Sequence, residues 1–331
     1  MSTDATQSEL PLSGTDDGGE ARLREAATKF CNWGKWGDED QIGTLNYIDP
    51  AMVVAASRLV QRGKVFSLAI DFGDSGPQQG FLRRFNPMTF MLRDGDDVYA
   101  RSLAGAPQGI GGADDVLFLP TQGATQWDAL AHIFYDSRMW NGYDCRLVSS
   151  MGAERNDIAQ YRDRIVGRAV LLDIPRLLGL KWCEPGQAVG PEQLDAAIAA
   201  QKVEVGRGDI LLLRFGHIGQ CRDAGSWGDY AGGDAPGLSF DTLGWIQERE
   251  IAALASDTWG VEVRPNELTF VNQPWHRVAL PQMGLCVGEI FDLEALAVDC
   301  ASDGIYEMFF CANPLPVIGS VGGPINPTAI K

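Results

Sequence analysis

Residues Thr121–Tyr143, TQGATQWDALAHIFYDSRMWNGY, pack side chains able to hold a metal or move a proton into one short segment. Gln122, Gln126, Asp128 and His132 recur at offsets of four, two and four, so a loop leading into a helix could aim all of them at one point. A carboxylate beside an imidazole suits divalent-cation binding or general acid/base work, because one supplies charge and the other a pKa near neutrality. The plainer alternative is that Asp128 caps a helix and His132 sits hydrogen-bonded in the core. An Asp/His pair alone does not separate the two, since short motifs match by chance.

The segment TQGATQWDALAH resembles the signature of the cyclase family, the group of kynurenine formamidase and isatin hydrolase, whose pattern is H-x-G-T-H-x-D-x-P-x-H. Thr125, Asp128 and His132 match that pattern. Gln122 and Gln126 stand where it has its two leading histidines, Ala124 replaces its glycine and Leu130 its proline. Further segments are similar in order from Trp36 almost to the C-terminus: WGDEDQIGTLNYI, IVGRAVLLDI, GDILLLRFG, PGLSFDTLGWIQEREIAALASDTWGVEV and PLPVIGSVGGPINPTAI. His276, followed by Leu280, Gly284 and Glu289, resembles the segment from which the family draws a further His and Glu ligand.

This resemblance implies a mixed-sheet α/β chain with the swivelling β/β/α fold of the family. It also implies one divalent metal, zinc or manganese, held by Asp128, His132, His276 and Glu289. Gln122 and Gln126 then occupy the places of a second ligand set. An amide oxygen is a poor substitute for imidazole toward zinc, so one metal, a harder ion, or no metal at all are the alternatives. The implied activity is hydrolysis of a cyclic amide, an N-acyl amide or a lactone-type bond, arylformamidase-like, by a metal-activated water. In it Asp128 and His132 handle protons, and Gln122 and Gln126 position the carbonyl. The alternative is a metal-independent cyclase or dehydratase of a secondary metabolite in which His132 and Asp128 are the acid/base pair. Family members are usually homodimers or larger, so a homo-oligomer is expected.

Composition bounds the rest. The chain has 331 residues, 45% hydrophobic and 21% charged, which is an ordinary globular balance with ample core. Its formal charge of −17 disfavours nucleic acid and anionic membranes as partners and leaves a small molecule, aromatic or cyclic, as the expected one. An anionic substrate would need a local arginine. Seven cysteines, with no C-x-x-C pair and an odd count, fit reduced thiols and a cytoplasmic setting. Residues 1–20 are polar and acidic without a signal-peptide pattern, so they are expected to be a disordered tail ahead of a single domain over 21–331.

Local patterns predict the elements. ARLREAATKFCNWG and Pro50–Arg62 read as helices, as do PEQLDAAIAAQ and SFDTLGWIQERE. KVFSLAIDF, MTFMLR and DVYARS read as strands. AVLLDI and DILLLRFG are continuous apolar runs expected to be strands buried on both faces. DDVLFLPTQ reads as a buried strand delivering Gln122 and Gln126 to the site. The Ala104–Gly112 loop lacks a phosphate-cradling frame and is expected at a lid or a subunit contact. Trp33, Trp36, Phe81, Phe134, Tyr135 and Trp140 are candidates for an aromatic pocket. His217 is either a surface histidine or one that approaches the pocket.

Overall fold

The structure is a computed structural model and describes residues 17–100 and 111–331. Its centre is a nine-stranded mixed sheet. From one edge to the other the strands run Val65–Ser67, Thr328–Ile330, Glu307–Cys311, Val166–Asp173, Ile210–Arg214, Ala253–Ser256, Cys286–Glu289, Gln126–Asp128 and Gly322–Pro324. The four from Val166–Asp173 to Cys286–Glu289 are parallel to one another, and the strands outside them pair antiparallel. This is the mixed-sheet α/β organisation expected from the sequence.

The parallel strands are apolar throughout because both faces are covered. Val170, Leu172, Leu211, Leu213, Leu254 and Val287 point to one side, into a core closed by helices Asp17–Lys29, Pro191–Gln201 and Thr242–Glu248. Ala169, Leu171, Ile210, Leu212, Ala253 and Cys286 alternate to the other, against Leu45, Phe66, Trp127 and the Glu294–Asp303 helix. Burying a Leu-sized side chain contributes roughly 1.5–3 kcal/mol, so these alternating rows dominate the stabilisation of the sheet. All seven cysteines are free.

Three local expectations are corrected. Asp114–Phe118 is not a buried strand of the main sheet; it pairs only with Met88–Arg93 in a two-stranded ribbon, and its five residues are exposed. Gly95–Tyr99, which takes in the first three residues of the predicted DVYARS strand, is a short helix, because Asp94 accepts from the Asp96 and Asp97 backbone and Asp97 reaches back to the Asp94 N–H. The Pro50 helix ends at Ser57, not Arg62: the following turn gives the Arg62 and Lys64 N–H groups to the Lys331 carbonyl at the sheet edge.

Of the tail expected to be disordered over residues 1–20, residues 1–16 lie outside the described residues, as do 104–110 of the glycine-rich loop, whereas Asp17–Glu20 open the Asp17–Lys29 helix. No helix among the described residues is long and apolar enough to cross a membrane.

Candidate metal centre and active site

The Gln126–Asp128 strand, and not a helix, presents the motif. It lies antiparallel between Cys286–Glu289 and Gly322–Pro324, with Gln126 opposite Glu289 and Trp127 opposite Gly288. Strand alternation puts Gln126 and Asp128 on one face and turns Trp127 to the other, where its indole donates to the Ala312 carbonyl at 2.8 Å. Gly288 must be glycine, since a Cβ there would sit 2.5 Å from the Trp127 ring. Thr125, the matched motif threonine, is structural: its hydroxyl donates to the Ile290 carbonyl at 2.6 Å and accepts from the Ile70 N–H.

On the shared face Gln126 Nε2 donates to Glu289 Oε2 at 2.8 Å. Glu289 Oε1 lies 3.3 Å from His276 Nε2, and His276 Nδ1 lies 2.6 Å from Glu262 Oε1. The same Glu262 carboxylate accepts the Trp275 and His276 N–H groups, both at 3.1 Å, and so fixes the start of the His276–Ala279 helix and the ring together. One ligand atom each from Asp128, His276 and Glu289 falls within 4.8 Å of the others, and all three residues are buried. Residues about 150 positions apart in the chain thus share one centre.

His132 stands beside this trio rather than inside it. Its Nε2 is 3.7 Å from Asp128 Oδ1, its Nδ1 is 3.5 Å from Gln122 Nε2, and its side chain is 19% exposed against 1% for Asp128. His132 opens with Gln122 onto a pocket of about 520 Å³ walled by Leu82, Arg84, Phe85 and Phe118.

Charge in the centre is unbalanced. Burial, and then the neighbouring Glu289 carboxylate, push Asp128 well above the usual carboxylate range. Burial alone would lower His276, but its hydrogen bonds to Glu262 and Glu289 and their charges override it and raise the imidazole to about 10. Burial, with help from the Arg84 and His276 charges, lowers His132 to about 3, so that ring is neutral.

Residues 66–263 match the Cyclase family model, described as "Putative cyclase". A solved structure of a novel cyclase is 38% identical, with 91% of this chain and all of that one covered at a TM-score of 0.84. The chain belongs to the cyclase family. Isatin hydrolase bound to the product analogue thioisatinate shares the cyclase fold at 15% identity, covering 85% of this chain and 98% of that one, TM-score 0.57. Isatin hydrolase A from Ralstonia solanacearum does so at 17% identity, 85% and 97% coverage and TM-score 0.57. No curated protein matches the chain by sequence.

Within this cyclase chain the donor set fits a divalent cation. Among the described residues, Asp128 Oδ1 and Gln126 Oε1 are buried without a hydrogen-bond partner, which is costly for polar oxygens unless something electropositive meets them. Three carboxylates around one imidazole call for added positive charge, and the Nδ1–Glu262 bond is the usual way of aiming Nε2 at a metal.

Two neighbours of the site were not read from the sequence. Glu262 lies in the quoted stretch SDTWGVEV but carries no local motif. Arg84 follows a turn with nothing ligand-like around it. His217, by contrast, is no surface histidine; it is buried against Tyr230, with ring centroids 4.6 Å apart. Most of the aromatic candidates are elsewhere: Trp140 is buried in the core with the half-buried Trp36 packed against it, and Trp33 donates to the Pro281 carbonyl at 2.6 Å. Phe81 packs on Trp259 at 5.4 Å, beside the pocket.

Proposed function

We propose that this cyclase-family protein is a hydrolase that opens a cyclic amide, N-acyl amide or lactone-type bond of a small aromatic or cyclic substrate. The observation that carries the reading is the buried convergence of Asp128, His276 and Glu289, in which Asp128 Oδ1 and the adjoining Gln126 Oε1 have no hydrogen-bond partner among the described residues. These three would hold one divalent metal, zinc or manganese, with His132 at its edge as a fourth ligand or as the proton carrier. Such an ion supplies a Lewis acid that lowers the pKa of water toward about 7.

The protein's own residues do the rest. Glu262 holds the His276 ring, and Gln126 holds the Glu289 carboxylate, so neither ligand has to be ordered when substrate arrives. With the Gln122 amide turned so that its oxygen accepts Nδ1–H, the neutral His132 ring has Nε2 free to take a proton from water and return it to the leaving nitrogen or oxygen. Gln122 steadies the other side of that ring and faces the substrate carbonyl. A second reading is a metal-independent cyclase or dehydratase with His132 and Asp128 as acid/base pair, favoured by their 3.7 Å approach.

A panel of cyclic amides, lactones and N-formyl aromatics tests the proposal. At least one should be hydrolysed, with activity lost in chelator and restored by zinc or manganese. Full activity in chelator would transfer the assignment to the acid/base reading.

The protein is further proposed to assemble as a homo-oligomer through the Met88–Arg93/Asp114–Phe118 ribbon. Phe90, Met91, Leu92, Leu117 and Phe118 are exposed there, Leu92 at 70%. A lone two-stranded ribbon is marginal in water, and a patch this apolar marks an interface. Light scattering at micromolar concentration should give a dimer or larger; a monomer would remove the proposal.

A further inference from the structure

We infer that the pocket beside His132 selects substrates carrying an anionic group in addition to the bond that is cleaved, and that Arg84 is the residue that binds it. The inference takes from the proposed function only that this pocket admits the substrate.

The turn leading to Arg84 is strained in an unusual way. Gly80, Leu82 and Arg83 all have left-handed backbone, with φ of 93°, 51° and 61°. Leu and Arg occupy that region at a cost, and such strain gathers where a side chain must be aimed. Here it folds Phe81 back onto Trp259 and sends Arg84 inward. The guanidinium carbon lies 4.8 Å over the same Trp259 ring, and Nη1 reaches the Gln122 carbonyl at 3.5 Å.

A cation so placed normally has a carboxylate. Elsewhere in the chain Arg168 and Arg214 are each tied to two of them. Among the described residues Arg84 forms no ion pair, although acids outnumber bases by 44 to 27. Its charge nevertheless reaches both His132 and Asp128. Arg83 lines the same pocket, and Phe85 and Phe118 give it flat apolar walls. A planar guanidinium braced on an indole, with its donors left for a ligand, recognises carboxylate in a forked geometry. The walls suit an aromatic ring, so the expected class is an aryl carboxylate or its equivalent.

Benzoate and the neutral isostere benzamide test this directly by titration calorimetry on the protein as purified. Wild type should prefer benzoate by at least about tenfold, with a preference that weakens as sodium chloride is raised. Arg84→Gln should cut the benzoate-to-benzamide ratio by about tenfold or more, and Arg84→Lys should restore part of it while keeping the charge. Equal binding of the two ligands by wild type overturns the inference. So does a ratio unchanged in Arg84→Gln, because benzoate captured at the metal centre alone would not sense that substitution. If Arg84→Gln does not fold, the salt dependence in wild type and the ratio in Arg84→Lys decide. A preserved preference with no turnover on the hydrolysis panel removes the hydrolase reading and leaves the anion site. Turnover without the preference does the reverse.

Discussion

Asp299 and Asp303 meet three cations, whereas Asp128, Glu262 and Glu289 share one imidazole. At the first cluster Lys64 is 2.6 Å from Asp299, Lys331 is 3.0 Å from Asp299 and 2.8 Å from Asp303, and Arg62 is 2.6 Å from Asp303. The acids there are answered in full, and their effect is to tie the Glu294–Asp303 helix to the Lys331 end of the sheet. At the second cluster only His276 can carry positive charge, and two buried oxygens have no partner among the described residues. Buried acids are therefore not informative by themselves. The balance around them separates a structural tie from a centre built to receive a cation.

The largest expected effect would break the comparison outright. Metal analysis after gentle purification should give about one equivalent per chain, since one imidazole and two or three carboxylate or imidazole partners complete one shell but not two. His276→Ala should lose it, and Gln122→Ala should keep it. Two equivalents would mean that the amides also ligate. Equal metal content in wild type and His276→Ala would place the centre among structural clusters.

Next comes the balanced cluster. Asp299→Asn leaves the buried Lys331 ammonium short of a partner and should cost about 3 kcal/mol or more in urea unfolding, with metal content unchanged. A loss below about 1 kcal/mol would make this pairing no better than a surface ion pair.

A smaller, pH-dependent effect sharpens the same contrast. Burial alone would raise Asp299, but the hydrogen bonds from Lys64 and Lys331, with the Lys331 and Arg62 charges, hold it down at about 2, against 3.8 for a free carboxyl. A depressed carboxylate stabilises the folded chain above its unfolded pKa. That contribution is lost as pH falls from about 4 toward about 2. Urea midpoints should fall over this range more steeply in wild type than in Asp299→Asn, and parallel curves would remove Asp299 as the cause.

How much of this was legible in the chain differs from element to element. AVLLDI and ILLLR could be read as doubly buried strands because an apolar run too short to span a membrane has few uses other than a buried strand. DDVLF has a similar look and proved to be an exposed ribbon, since burial depends on what a strand meets, and its partner is Met88–Arg93 rather than the main sheet. Asp128 and His132 stood out by spacing and family likeness, and His276 and Glu289 by family likeness alone; the fold gathers Asp128, His276 and Glu289 and leaves His132 beside them. The offsets in residues 122–132 suggested a helical presentation, and strand pairing replaced it.

By itself, then, the sequence determined the alternating apolar rows that make a mixed α/β sheet, and the residue types from which a cation centre can be assembled. Tertiary structure alone decided that His276 is held by Glu262, that Gln126 is spent on Glu289, that His132 stands beside the trio, and that Arg84 turns inward without an acid. The physical reason is one of range. Apolar periodicity reports on neighbours within a turn or a strand, whereas these contacts depend on the register between segments far apart in the chain. A shift of one residue in the pairing of the Gln126–Asp128 strand with Cys286–Glu289 would turn Gln126 and Asp128 away from Glu289, to the other face.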